Sequence, residues 1–288
     1  MSVPILLIAM LQAASVQATP VPEPGKPDIV VDARNSRVIR EFVKQMADPG
    51  PGDQIARWDG AICSGVIGLD REQAQMVNDR IAQLASAVRL RIGKPGCKPS
   101  VLIVFTGKAD ALANAVANKF PVSLRREGSW RLNRFRQPRQ PVRWIAKTYD
   151  DGAETAIPSF DSVTTGTALP SSESSGYSAY ASRIGRITRA GVSSMLIIVD
   201  PAQTGPAKLD ALADYLTMVA LVRPLLGAAP PTTSVLSLFA SAAPPTGVTG
   251  LDQTYLKALY SSAPSQSSAG QISSIRTAMR RNGSVETP

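Results

Sequence analysis

Two neighbouring stretches decide the fold: SSMLIIVD at residues 193–200 and LDALADYLTMVAL at residues 209–221. The first is a continuous apolar run of the length of a buried strand. The second begins after Pro206, ends at Arg223-Pro224 and repeats leucine or valine at helical spacing. We therefore predict a strand followed by a helix whose apolar stripe packs on that strand. The stripe consists of Leu209, Leu212, Leu216 and Val219, with Met218 and Val222 beside it.

Similar patterns extend toward the N-terminus. SVLIVFT (100–106) and PVRWIAKTY (141–149) predict strands, as does DIVVDA (28–33), which precedes a helix capped by Ser36. Asp70 with Gln73 predicts the start of a helix that carries Val77, Ile81, Leu84 and Val88. KADALANAVANKF (108–120) predicts a further helix.

Toward the C-terminus, Thr249 with Asp252 predicts a capping box for LDQTYLKALY, and QISSIRTAMRR predicts the last helix. The expected fold is α/β (α+β): a mixed sheet flanked by helices, in two lobes that share the sheet. The lobes span 28–149 and 191–282. A Ser/Thr/Gly-rich loop at 150–190 separates them, and residues 283–288 form a tail.

The first twenty residues contain no charged side chain and have an apolar centre followed by small residues. Val16-Gln17-Ala18 fits the pattern read by signal peptidase, and the apolar run is too short for a membrane span. We expect a signal peptide at 1–18, cleavage after Ala18, and a proline-rich linker at 19–27. The expected location is periplasmic or secreted, with no transmembrane segment in the mature chain.

The chain has two cysteines, Cys63 and Cys97, without C-x-x-C spacing. In an exported protein, such a pair predicts one disulfide. The bond would tie the segment before the long helix to the entrance of the next strand. The alternative is two unrelated buried thiols.

Histidine is absent from the chain. This excludes Ser-His-Asp and Cys-His catalysis and zinc sites that need an imidazole ligand. The sequence also has no phosphate-binding or dinucleotide-binding glycine motif and no S-x-x-K. We predict no cofactor, no metal and no catalytic residue of these classes. Carboxylate-only catalysis stays open, with Asp210, Asp214, Asp150 and Asp151 as candidates.

Opposite its apolar stripe, the 209–221 helix carries Asp210, Asp214 and Thr217 at spacings of four and three. One interpretation is a carboxylate pair that binds a cation or an arginine, with Arg183, Arg186 or Arg189 as partners. The other, which we favour, is the solvated face of an amphipathic helix, because a polar face needs no special reason.

Residues 119–147 hold nine basic side chains and one acid, Glu127, with Trp130, Phe135 and Trp144 interleaved. By composition this resembles a nucleic-acid footprint, but an exported protein meets little nucleic acid. Anionic envelope components or another envelope protein would be the partners of such a surface. The alternative, which we favour, is a solvated arginine-rich surface with its aromatics packed inward. The candidate anion-binding residues are Arg125, Arg126, Arg131, Arg134, Arg136, Arg139 and Arg143.

FVKQMADPGPGDQIARWDGAIC (42–63) and CKPSVLIVFTG (97–107) resemble a family of uncharacterised exported proteins of Gram-negative bacteria. The segments LADYLTMVALV, SVLSLFAS and VTGLDQTYLKALY, between residues 212 and 260, continue that likeness. They also resemble the C-terminal part of zinc-metallopeptidase-like domains. This second resemblance implies a zincin-like scaffold, but the helix lacks H-E-x-x-H, so no catalytic residue carries over.

These observations favour an exported, non-catalytic binding or structural module derived from a peptidase-like scaffold. The alternatives are a carboxylate-dependent hydrolase of envelope glycans and a protein that binds anionic envelope polymers through residues 125–143.

Overall fold

The computed structural model describes residues 29–50, 53–120, 124, 127–151, 189–225 and 227–283. The predicted signal peptide, the linker, Arg125 and Arg126, Arg183 and Arg186 lie outside the described residues. So do most of the predicted loop and all but the first residue of the predicted tail.

The sheet has four strands in the spatial order β1-β2-β4-β3. They are β1 (Ser64–Ile67), β2 (Val101–Phe105), β3 (Val142–Asp151) and β4 (Arg189–Val199). β4 pairs in parallel with β2 and antiparallel with β3, so the strand predicted from SSMLIIVD is central and joins both lobes in one sheet. Its residues from Met195 to Val199 are buried, as expected for a continuous apolar run.

Seven α-helices surround the sheet within the described ranges. They are α1 (Ile29–Met46), α2 (Arg71–Ala87), α3 (Ala109–Lys119), α4 (Gly128–Arg136), α5 (Leu209–Val222), α6 (Gly250–Ser261) and α7 (Ser268–Gly283). α2 packs against α5, α3 packs against α4, and α7 packs against both α6 and α1. The mixed sheet flanked by helices confirms the predicted fold class, whereas a zincin-like scaffold remains only an expectation.

Two helix starts follow their predicted capping chemistry. The Asp70 carboxylate accepts a hydrogen bond from the Gln73 backbone N–H at the start of α2. Thr249 and Asp252 form a complete capping box at the start of α6. In both cases a side chain satisfies an N–H that the first helical turn leaves without a partner.

The prediction of a strand at 28–33 is wrong, because residues 29–33 belong to α1. Ser36, predicted as the cap, therefore lies inside the helix. The β-branched residues suggested a strand, but β propensity is weak and context overrides it. α4 was not predicted: only Phe135 is buried on it, and Glu127 makes no side-chain capping bond, so neither periodicity nor capping marked it.

Cys63 and Cys97 form the predicted disulfide, and their positions are 34 apart in the sequence. The bond joins the residue before β1 to the turn before β2. None of the helices in the described part of the chain combines the length and hydropathy that crossing a bilayer requires.

Candidate functional site

A groove between α2 and α5, which we call the α2–α5 groove, has a volume of about 1060 Å³ and contains both helix aspartates. Asp210 is exposed in the first turn of α5, whereas Asp214 is 6% exposed. The groove is lined by Arg71, Glu72, Gln75, Met76, Asp79, Arg80, Gln83, Asp210, Ala213 and Asp214.

The Asp214 carboxylate is fully engaged by protein donors. Arg80 binds both carboxylate oxygens, through Nε to Oδ1 and through Nη2 to Oδ2 at 3.0 Å. The Val248 backbone N–H also donates to Oδ2 at 2.8 Å. A Cβ on Gly247 would lie 2.7 Å from the same oxygen, so the backbone approaches this carboxylate as only glycine permits.

The prediction that α5 carries a solvated polar face is wrong for two of its three residues. Asp210 is exposed as predicted, but Asp214 and Thr217 are buried. All residues from Ala211 to Val222 are buried, so α5 is enclosed on every side beyond its first turn. Thr217 satisfies its hydroxyl by donating to the Ala213 carbonyl at 2.7 Å. The interpretation that Asp214 binds an arginine agrees with the contacts, but the partner is Arg80 of α2, which the sequence reasoning did not name.

The other two candidate carboxylates lie elsewhere. Asp150 and Asp151 pair with Ala190 and Arg189 in the sheet, at the start of β4. The α2–α5 groove, which contains Asp210 and Asp214, contains neither of them. In the described ranges, no cluster of three or more Cys, Asp or Glu side chains is suited to a metal ion.

The basic segment is divided by the fold into buried and exposed arginines. Arg143 is 0% exposed and its Nη2 lies 2.5 Å from Asp110 Oδ1. Arg131 binds the buried Asp48 carboxylate through Nε and Nη2. Both arginines are held by carboxylates of the fold, and the candidate role in anion binding does not extend to the enclosed Arg143.

The remaining described arginines of the segment face solvent to different degrees. Arg134 donates to the Gly227 carbonyl at 3.0 Å and lies over the Trp130 ring, and Arg136 donates to Asn118 at 2.8 Å. Only Arg139 is fully exposed. Phe135 and Trp144 are buried as the alternative interpretation expected, whereas Trp130 is 48% exposed.

A second cleft, which we call the basic cleft, lies beside the start of β4 and has a volume of about 610 Å³. Its lining residues come from the segment before β1, the end of α2, the start of β4 and the end of α6. They are Arg57, Trp58, Asp59, Ala87, Val88, Arg89, Leu90, Arg189, Ala190, Lys257, Tyr260, Ser261 and Pro264. Four of them are cationic and one, Asp59, is a carboxylate.

Arg57 is 9% exposed and its hydrogen-bond partners are all neutral. Its Nη1 donates to the Leu259 carbonyl and to Ser262 Oγ at 3.0 Å, and its Nη2 donates to the Ser262 carbonyl at 2.7 Å. The carbonyls belong to the C-terminal end of α6, whose partial negative charge suits a cation. These three bonds use three of the five guanidinium N–H groups.

Burial lowers the pKa of Arg57, and the charge of Arg189 lowers it further, while Tyr260 and Asp59 oppose the decrease. The two guanidinium groups are therefore close enough to repel each other. The end of a helix supplies only about half of one negative charge. The protein groups around Arg57 therefore neutralise its buried positive charge only in part. An anion bound in the cleft would neutralise the rest of that charge.

Arg89 and Lys257 are exposed at the rim of the cleft. Neither forms an ion pair with another described residue. Arg89 has a left-handed backbone, with φ of 63°, directly after the C-terminal residue that caps α2. Within the part of the chain that the structure describes, three cations of the cleft (Arg57, Arg89 and Lys257) thus lack a carboxylate contact. An anionic group of a ligand has free donors on several sides here.

Sequence reasoning missed the basic cleft, because its residues are far apart along the chain. Arg57 stands in the short segment ARWDG, Arg89 follows a predicted helix, and Lys257 lies within another. No charge run marks any of them. The only signal was Arg57 beside Trp58, a polar residue between the apolar positions Ile55, Ala56 and Trp58, all of which are buried.

Comparisons of the chain with protein family models, with curated proteins and with solved structures each found no match. The features of the molecule that bear on function are the two clefts and the charged side chains that line them.

Proposed function

We propose that this protein is an exported, non-catalytic module that binds an anionic ligand in the basic cleft. The observation that carries the proposal is the convergence of Arg57, Arg89, Arg189 and Lys257 on one cleft whose described lining contains a single carboxylate. A volume of about 610 Å³ lies in the usual range for ligand sites. The ligand class is the one expected from the sequence, an anionic envelope component, but the binding residues differ.

The proposal that the protein is exported rests on two independent features. The first is the uncharged apolar N-terminus with its small-residue site before Thr19. The second is the Cys63–Cys97 disulfide, a bond typical of oxidising compartments. Intact-mass analysis of material recovered outside the cytoplasm should give a chain that begins at Thr19 with both thiols oxidised. A full-length, reduced chain confined to the cytoplasm would contradict it.

The non-catalytic part of the proposal is supported by the state of Asp214. A carboxylate that accepts three hydrogen bonds from Arg80 and Val248 is held as an acceptor. It is poorly placed to exchange a proton with a substrate, as a general acid or base must. Its neighbour Asp210 is exposed to water in the same groove. Neither aspartate is thus both buried and without a cationic partner, which is the setting that keeps a catalytic acid protonated.

The binding experiment removes the two cations that have no structural partner. We choose Arg89→Asn, because asparagine tolerates a left-handed backbone, together with Lys257→Gln. The matched control, Arg37→Gln with Arg40→Gln, removes the same charge from exposed positions on α1. Titration calorimetry with inorganic tripolyphosphate at low salt measures the affinity of each form.

We expect the cleft variant to bind tripolyphosphate at least about tenfold more weakly than the parent, because charge-assisted hydrogen bonds are lost. The control variant should keep the parent affinity within about threefold, since only long-range attraction changes. Equal losses in both variants, or no binding by the parent chain, would contradict the proposal.

A further inference from the structure

Among the described residues that line the basic cleft, Asp59 is the one carboxylate, and two neighbours hold it in place. Its Oδ1 accepts a hydrogen bond from the Tyr149 hydroxyl at 2.5 Å. Its Oδ2 lies 3.4 Å from Arg189 Nη2. Tyr149 belongs to β3 and Arg189 to β4, so Asp59 is fixed against the end of the antiparallel strand pair.

Asp59 is also part of the surface that a ligand would meet. Its side chain is 28% exposed and lines the cleft together with Arg57 and Arg189. The carboxylate lies within electrostatic range of Arg57 as well as of Arg189. Asp59 is thus an internal anion that interacts with both of the guanidinium groups that an anionic ligand would approach.

We infer that Asp59 is a built-in competitor that lowers the affinity of the basic cleft for anions and restricts the cleft to multiply charged ones; this rests on the proposed function. A singly charged anion meets a guanidinium pair that Asp59 already compensates in part, and the like charge of Asp59 repels it. A multiply charged anion also contacts Arg89 and Lys257, on the other walls of the cleft, and this gain offsets the repulsion.

The test compares Asp59→Asn with Asp79→Asn. Each variant removes one negative charge, but Asp79 is an exposed residue of α2 that lines the α2–α5 groove and not the basic cleft. Titration calorimetry at mildly acidic pH, where orthophosphate carries mainly one negative charge, measures the affinity of the parent and of both variants for tripolyphosphate and for orthophosphate. Asp59→Ala, which removes the side chain as well as the charge, is measured in parallel, and thermal melting verifies that each variant is folded.

We expect Asp59→Asn and Asp59→Ala to bind tripolyphosphate about threefold to tenfold more tightly than Asp79→Asn does. Their gain in affinity for orthophosphate should be at least as large as their gain for tripolyphosphate. The Asp59 variants should therefore discriminate less strongly between the two anions than the parent does. If the parent binds tripolyphosphate but the Asp59 variants bind no more tightly than Asp79→Asn, the inference is wrong and the proposed function stands. If no form binds, the proposed function itself fails.

Discussion

Arg80 of α2 and Asp214 of α5 form a two-point ion pair that joins the two helices most closely packed against each other. The two side chains are not equally buried: 33% of Arg80 is exposed and 8% of Asp214. This difference in burial determines the effect of removing either residue. Water can hydrogen-bond to the partly exposed Arg80 if Asp214 is lost, but it cannot reach the buried Asp214 if Arg80 is lost.

Arg80→Ala should therefore destabilise the protein more than Asp214→Ala does. Without Arg80, a buried carboxylate keeps only the Val248 N–H, at a cost of about 3 to 5 kcal/mol. Without Asp214, Arg80 turns to water, and the cost is about 1 to 3 kcal/mol. Urea denaturation of both variants and of the double variant measures the free energies. Asp210→Ala, an exposed control on the same helix, should change little, and the reverse order would refute the explanation.

Leu216→Asp should unfold the chain or reduce its free energy of unfolding by at least about 4 kcal/mol. Leu216 is 0% exposed, so the new carboxylate would be buried without a partner. Lys208→Asp on the same helix is the opposite control. Lys208 is the N-cap and makes no side-chain capping bond, so an aspartate there should add about 0.5 to 1 kcal/mol. Circular dichroism during urea titration distinguishes the two results.

The basic segment should separate into structural and solvent-facing arginines. Arg131→Ser removes an ion pair with buried Asp48, although Arg223 still lies 3.2 Å from that carboxylate, and should cost about 1 to 3 kcal/mol. Arg139→Ser removes the same charge from an exposed site and should change stability by less than about 0.5 kcal/mol. Thermal melting compares them, and equal stabilities would contradict the assignment of Arg131 to the fold.

Alkaline pH should destabilise the protein through Tyr215 and Tyr255, which are buried, and through Tyr260, which is half-buried. Burial raises the pKa of Tyr215, Tyr255 and Tyr260 above the ordinary value of 10.0. The unfolded chain loses these protons first as the pH rises through that value, so the free energy of unfolding falls above it and is unaffected below it. Absorbance at the tyrosinate band should report these three as ionising only together with unfolding. Ionisation near pH 10.0 in the folded protein would contradict their burial.

Much of the fold follows from local sequence patterns. A few adjacent residues are enough to predict the apolar strands such as LIIV, the Asp70 cap and the Thr249 capping box. In both caps, the hydrogen-bond donor and acceptor lie within three residues of each other. The strand predicted at 28–33 was wrong because only local propensity was considered. Residues 29–33 continue the helix formed by the residues that follow them, although their own preference is for β structure.

The candidate sites could be predicted only in part. The pattern of α5 named Asp214, but its burial depends on Arg80 and Val248, which lie 134 and 34 positions away. The basic cleft depends on four separate segments, none of which carries a run of charge. Contacts between distant residues leave no periodic signal in a single sequence, so their partners cannot be read from spacing.

The placement of β4 has a consequence for how the chain reaches this structure. β2 and β3 are synthesised first, yet neither pairs with the other, because residues 189–199 must enter between them. A chain that ends at Asp151 would keep both facing edges open, a state prone to pairing with other molecules. The sheet therefore cannot close before Val199, and with it more than two thirds of the given chain, has been synthesised.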